Sequence, residues 1–240
     1  FPNVSYFYNL CGLAHQGNKQ MLKSIELFTQ ALHYEPGNVA AKNNLANSYK
    51  YINQNLKAEE IFKSIIADDP KNIKALNNYA NLKREFNQYK QAKELLLKAI
   101  KIDPENIYIL LHLAMCCQGI GEANDAKNYI LKLLSLDPKN TSAYKLLSTL
   151  VDHNNDQKYL KKMKKLIDEE IFKKYSSAQK VELLFGLSKA YEDIKDFEIS
   201  FNFLEQANLI ENQNNTQTIE NIKKLFNNIQ KLFGSIDINK

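Results

Sequence analysis

The sequence predicts an all-α chain built as a solenoid of stacked antiparallel helix pairs, closed by a C-terminal helix, and three observations predict it. Pro36, Pro70, Pro104 and Pro138 recur at intervals of 34 residues, and a fixed period in this range marks a repeat architecture. Each of these prolines is followed two positions later by asparagine, in the runs PGN, PKN, PEN and PKN. The chain has only 7 glycines and 5 prolines in 240 residues, too few for the frequent turns of an all-β sandwich or an α/β enzyme.

Placing each proline at position 32 of its unit gives four units, 5–38, 39–72, 73–106 and 107–140. Position 8 then holds Gly12, Ala46, Ala80 and Ala114, and position 20 holds Ser24, Ala58, Ala92 and Ala126. Position 24 holds Phe28, Phe62, Leu96 and Ile130. Small residues at 8 and 20 let two antiparallel helices approach closely, and the large residue at 24 fills the space beside them. Proline has no amide hydrogen to continue a helix, so each one ends the second helix before the next unit begins. A helix hairpin of this size cannot bury its apolar face alone and must stack on its neighbours.

After Pro138 the register slips. Residues 141–153 read as a first helix, with Tyr144, Leu147 and Ser148 at positions 4, 7 and 8. Residues 156–175 read as its degenerate partner, with Leu160 where a small residue belongs, Lys164 where a large one belongs, and no terminating proline. The pattern resumes six residues late over 181–212, with Leu184, Leu187, Ser188, Tyr191, Phe197, Ser200, Leu204 and Ala207 in place. Ser177 is the expected N-cap of the helix that begins there. The polar run 212–217 reads as a linker. Ile219, Ile222, Leu225, Phe226, Ile229, Leu232 and Phe233 recur at helical spacing over 218–233, as in a capping or connecting helix.

The residues Tyr8, Gly12, Ser24, Phe28, Ala31 and Pro36, with their counterparts through residue 140, resemble the tetratricopeptide repeat. The resemblance implies a right-handed superhelix, non-catalytic, whose first helices line a concave groove that holds a protein or peptide. Positions 2, 5, 6, 9, 12 and 13 of those helices are the ones expected to face the groove. They supply the candidate site: Asn43, Asn44, Asn47 and Lys50 from the second unit; Lys74, Asn77, Asn78, Asn81 and Arg84 from the third; Tyr108 and His112 from the fourth. NNLAN and NNYAN repeat the same amides at the same positions, and an amide both donates and accepts, so a ladder of them can clasp an extended backbone. On Asn44 and Asn78 this ladder is similar to that of the repeat region in O-linked N-acetylglucosamine transferase. A clamp for a partner's C-terminal carboxylate is a poor match, with Leu13 in an asparagine slot and only Lys74 fitting.

Composition narrows the partners. The net charge is +5, yet Arg84 is the only arginine. Lysine is a solvated point charge, whereas the guanidinium fork reads phosphates and bases, so no nucleic-acid partner is expected. No apolar run reaches the ~18 residues of a membrane span, and no membrane partner is expected. Cys11, Cys116 and Cys117 cannot form a disulfide framework, and no CxxC or CxxH pairing offers a structural zinc site; a reducing, cytoplasmic setting follows. These cysteines and His15 are assigned to packing positions, and His112 and His153 to the groove. The lysines 158, 161, 162, 164 and 165 read as a solvated face. No phosphate loop, HExxH or Gly-x-Ser-x-Gly motif is present, so no cofactor, metal or catalytic residue is assigned.

A second function follows from residues 183–210. Phe185-Gly186-Leu187, Lys189 to Asp193, Asp196-Phe197, Ser200-Phe201 and Ala207-Asn208 resemble the repeat region preceding a bacterial sulfotransferase domain. That implies an N-terminal arm presenting an acceptor to a catalytic domain beyond residue 240. The opening residue, Phe1 rather than methionine, is read as the start of an excised fragment.

Overall fold

The boundary between successive helix pairs is built by the asparagine that follows each proline. Oδ1 of Asn38, Asn72 and Asn106 accepts the backbone N–H of Ala41, Ala75 and Ile109 at 3.0, 3.0 and 3.2 Å, which satisfies one of the amides left bare at a helix start. The same asparagines donate Nδ2 back to the carboxylates of Glu35, Asp69 and Asp103. Acid, proline and asparagine thus form one stop-and-start device, repeated at each boundary.

The computed structural model describes residues 4–213, with no strand among them. The chain divides after Leu136 into two units. The first contains α1 (Val4–Gly17), α2 (Met21–Tyr34), α3 (Val39–Tyr51), α4 (Asn55–Asp68), α5 (Ile73–Glu85), α6 (Tyr89–Ile102), α7 (Ile107–Ile120) and α8 (Ala123–Leu136). Each helix packs on the next in the chain, and α1, α3, α5 and α7 also touch one another in order. The first helices therefore form one continuous wall of a solenoid of helix pairs.

Packing at positions 8, 20 and 24 is tight. Ala46, Ala58 and Phe62 are fully buried, as are Ala114, Ala126 and Ile130. A Cβ placed on Gly12 would lie 2.5 Å from the Phe28 ring, so the glycine is there for close approach. The turn inside each pair places one residue in the left-handed region: Lys19 (φ 59), Asn53 (φ 61), Asn87 (φ 58) and Gly121 (φ 89), all at position 15. Between α5 and α4, Glu59 accepts from Tyr79 Oη at 2.7 Å and from Lys83 Nζ at 3.0 Å.

The second unit contains α9 (Thr141–Ser148), α10 (Lys158–Asp168), α11 (Glu170–Lys174) and α12 (Ser177–Asp193); residues 197–213 are helical and are called α13. Asn140 caps α9 through the Ala143 N–H at 3.0 Å. The helix expected over 141–153 stops at Ser148, and the one expected over 156–175 is broken at Glu169, which is extended. α12 packs chiefly on α9, and Glu182 accepts from Thr141 Oγ1 and Ser142 Oγ, both at 2.7 Å. Its N-cap is Ser176, not Ser177, because Gln179 completes a capping box with Ser176. Val181, Leu184 and Ala207 join α12 to α13, and Lys195 (φ 63) makes the turn between them. The expected helix 218–233 lies outside the described residues.

Candidate functional site

The wall formed by α1, α3, α5 and α7 carries the sequence-predicted residues, and their amides bond across unit boundaries. Asn44 Nδ2 donates to Asn9 Oδ1 at 2.9 Å. His112 Nδ1 donates to Asn77 Oδ1 at 2.8 Å. In both, position 6 of one unit meets position 5 of the unit before. The matching pair at the middle boundary is Asn43 with Asn78, and there Asn43 Oδ1 and Asn78 Nδ2 are buried without a partner. An acceptor and a donor are thus left over at adjacent register positions. Asn43 is 1% exposed and donates Nδ2 only to the Val39 carbonyl of its own helix.

One turn further along, Lys50 Nζ bonds Glu85 at 2.8 Å, joining α3 to α5. Arg84 turns the other way: its guanidinium donates to Asn81 Oδ1 at 2.7 Å and meets Met115 Sδ on α7 at 2.6 Å. Asn47, Asn81 and Arg84 are half-buried, Lys74 is exposed, and Tyr108 is 68% exposed. Tyr6, Leu10, Leu13, Tyr51 and Met115 add exposed apolar surface to the first helices. Burial, then the nearby Arg84 and Lys50 cations, hold the His112 imidazole down at about 4, well under its usual 6.5. It is a neutral donor at physiological pH, not a proton shuttle.

Two expected placements are corrected. His153 does not line an open groove; it lies in the turn after α9 and is fully buried. Cys11 is exposed rather than packed, whereas Cys116 and Cys117 are buried. Sulfur and carboxylate donors of Cys117, Glu122 and Asp125 lie within 4.8 Å of one another, but the Lys93 ammonium is paired to Glu122 and reaches Asp125 at 3.7 Å. Burial pushes the Cys117 thiol up to about 11. That cluster is a salt bridge around a protonated thiol.

Tyr89, on α6, and Gly119, on α7 of the wall, are not among the expected site residues. The Tyr89 ring leans on Gly119, where a Cβ would stand 2.7 Å from it, and together with Arg84, Glu85, Met115 and Gln118 they line a cleft of about 480 Å³. The signal was a large ring at position 17 opposite a glycine at position 13 of the next unit.

The family model described as Tetratricopeptide repeat matches residues 17–82 and 83–151, more than half of the chain. No curated protein matches the sequence. Among solved structures, the chain is similar to PilW, a type IV pilus biogenesis factor, at 19% identity over 85% of this chain and 91% of that one, with a TM-score of 0.69. PilF of Pseudomonas aeruginosa is similar at 18% identity over 85% and 90%, TM-score 0.67. MamA of Desulfovibrio magneticus RS-1 is similar at 13% identity over 69% and 94%, TM-score 0.59. At these identities the likeness is one of fold. No helix among the described residues is long and apolar enough to cross a membrane.

Proposed function

The chain belongs to the tetratricopeptide repeat family, and we propose that it is a non-catalytic scaffold whose wall of first helices holds an extended segment of a partner protein. The observation that supports this most is the run of reachable amides on that wall: Asn47 and Asn81, at the same position of successive units, are both half-buried rather than buried. An amide both donates and accepts, as a peptide group does, so these side chains can pair with an extended backbone. Around them stand exposed aromatic and cationic side chains, Tyr51, Lys74 and Tyr108, of the kinds that anchor interfaces.

A random peptide library panned against the full chain tests this. Selected peptides are expected to lose at least tenfold in affinity in a chain carrying Asn47→Ala, Asn81→Ala and Tyr108→Ala together, on a surface whose removal leaves the helix caps intact. Equal affinity for that chain would overturn the assignment. The arm-of-a-sulfotransferase reading of residues 183–210 concerns sequence beyond Lys240, and the parent gene decides it.

A further inference from the structure

Arg84 is a half-buried guanidinium whose hydrogen-bond partners are both neutral. Its guanidinium donates to an amide oxygen, Asn81 Oδ1, and meets a thioether, Met115 Sδ. Among the described residues no carboxylate is paired with it. Glu85, next in sequence, is already bonded to Lys50 at 2.8 Å. A guanidinium carries five donors in a planar fork suited to two carboxylate oxygens, and a thioether is a weak acceptor. The bonding capacity of this side chain is therefore mostly unspent, in a position where water is partly excluded.

The cleft beside it has room for a side chain. It measures about 480 Å³ and is lined by Arg84, Glu85, Tyr89, Met115, Gln118 and Gly119, the Glu85 carboxylate being bonded to Lys50. Tyr89 and Met115 give it apolar walls. Burial first, and then the Arg84 and Lys50 cations, hold the His112 titration down; of the two cations, Lys50 is paired with Glu85. Arg84 also lies in the last turn of α5, where the helix dipole favours a cation. That accounts for a basic residue of either kind, but not for a fork left without a carboxylate.

We propose that Arg84 is a specificity-determining residue of the wall, binding the carboxylate of an internal Asp or Glu in the partner segment, with an adjacent apolar residue packed on Met115 and Tyr89. The assignment rests on the scaffold reading above and names the chemistry of the segment. An internal residue is favoured over a chain terminus because α5 is flanked by α3 on one side and α7 on the other, so the segment continues past Arg84 in both directions.

Arg84 is the chain's only arginine, so its Nε–H resonance needs no assignment, and Met115 is one of only 3 methionines. The full chain, labelled at both residue types, is titrated with acetyl-Leu-Glu-Leu-amide, acetyl-Leu-Gln-Leu-amide, and acetyl-Leu-Gln-Leu with a free C-terminal carboxylate. Saturable movement of the Arg84 and Met115 signals with the glutamate peptide, at least tenfold tighter than with either glutamine peptide, is the result expected. Arg84→Gln should abolish the Met115 response, and Arg84→Lys should restore it only in part, because charge without the fork is insufficient. Equal response to all three peptides, or a preference for the free terminus, would overturn the proposal. So would amide shifts on α3, α5 and α7 with longer library peptides while Arg84 stays still, an outcome that spares the scaffold reading.

Discussion

Asn44 Nδ2 and Asn9 Oδ1 meet at 2.9 Å between the first helices of the first and second units, both side chains buried. The amide that marks a groove in the sequence is thus spent on joining two units. The same offset, position 5 to the following position 6, recurs in Asn77 with His112, and position 12 reaches the following position 13 in the same way in Lys50 with Glu85. Long-range order in the wall is set by side chains reaching one period and one residue ahead.

Replacing Asn44 with alanine should therefore destabilise the chain by about 1–3 kcal/mol, since Asn9 is left buried without its donor. The double variant N9A/N44A should cost less than the sum of the single ones, as expected for two ends of one bond. Urea unfolding followed by circular dichroism measures both.

Gly12→Ala should cost about 1–3 kcal/mol through overpacking, because its new methyl would lie 2.5 Å from the Phe28 ring. Adding Phe28→Leu to that variant should recover part of the loss, read as a rise in thermal midpoint. No effect of Gly12→Ala would mean that the first pair is more loosely packed than described.

Lys19 holds the left-handed turn conformation at φ 59, where a Cβ is strained by about 1–2 kcal/mol. Lys19→Gly should stabilise by about 0.5–1 kcal/mol, part of the relief being returned as extra freedom of the unfolded chain. Gly121→Ala, at φ 89 in the equivalent turn, should move the thermal midpoint the other way.

His112 should titrate near 4 by NMR, against an ordinary 6.5, held down by burial first and then by Arg84 and Lys50. Its protonation favours the unfolded chain. The stabilisation from the neutral ring is full above 6.5 and is lost as pH falls from there toward 4. His112→Asn should flatten stability over that window and leave the limb below it unchanged.

Most of the fold was legible because its signals are local. Proline spacing, small residues at positions 8 and 20, and the asparagine after each proline are short-range chemistry that tertiary structure has no reason to override. The division of labour among the wall's amides was not legible in the same way. Asn43, Asn44 and Asn78 look alike in sequence, and whether an amide faces its neighbour or stands open depends on how far one helix slides along the next. A search for complementary side chains at a spacing of 35 would have found Asn9–Asn44, Asn77–His112 and Lys50–Glu85. In the second unit the period is lost, and with it the prediction: α9 is short, Glu169 breaks the following helix, and His153 falls in a buried turn. The choice of Ser176 over Ser177 was readable, since only Ser176 has a glutamine three residues on.

The most direct test is to map a library-selected peptide onto the full chain by amide chemical shifts. The account predicts one contiguous footprint over Asn47, Lys50, Lys74, Asn81, Arg84 and Tyr108, on α3, α5 and α7. A footprint confined to Leu22, Leu56 and Lys90 on the second helices, or to the lysines of α10, would contradict it.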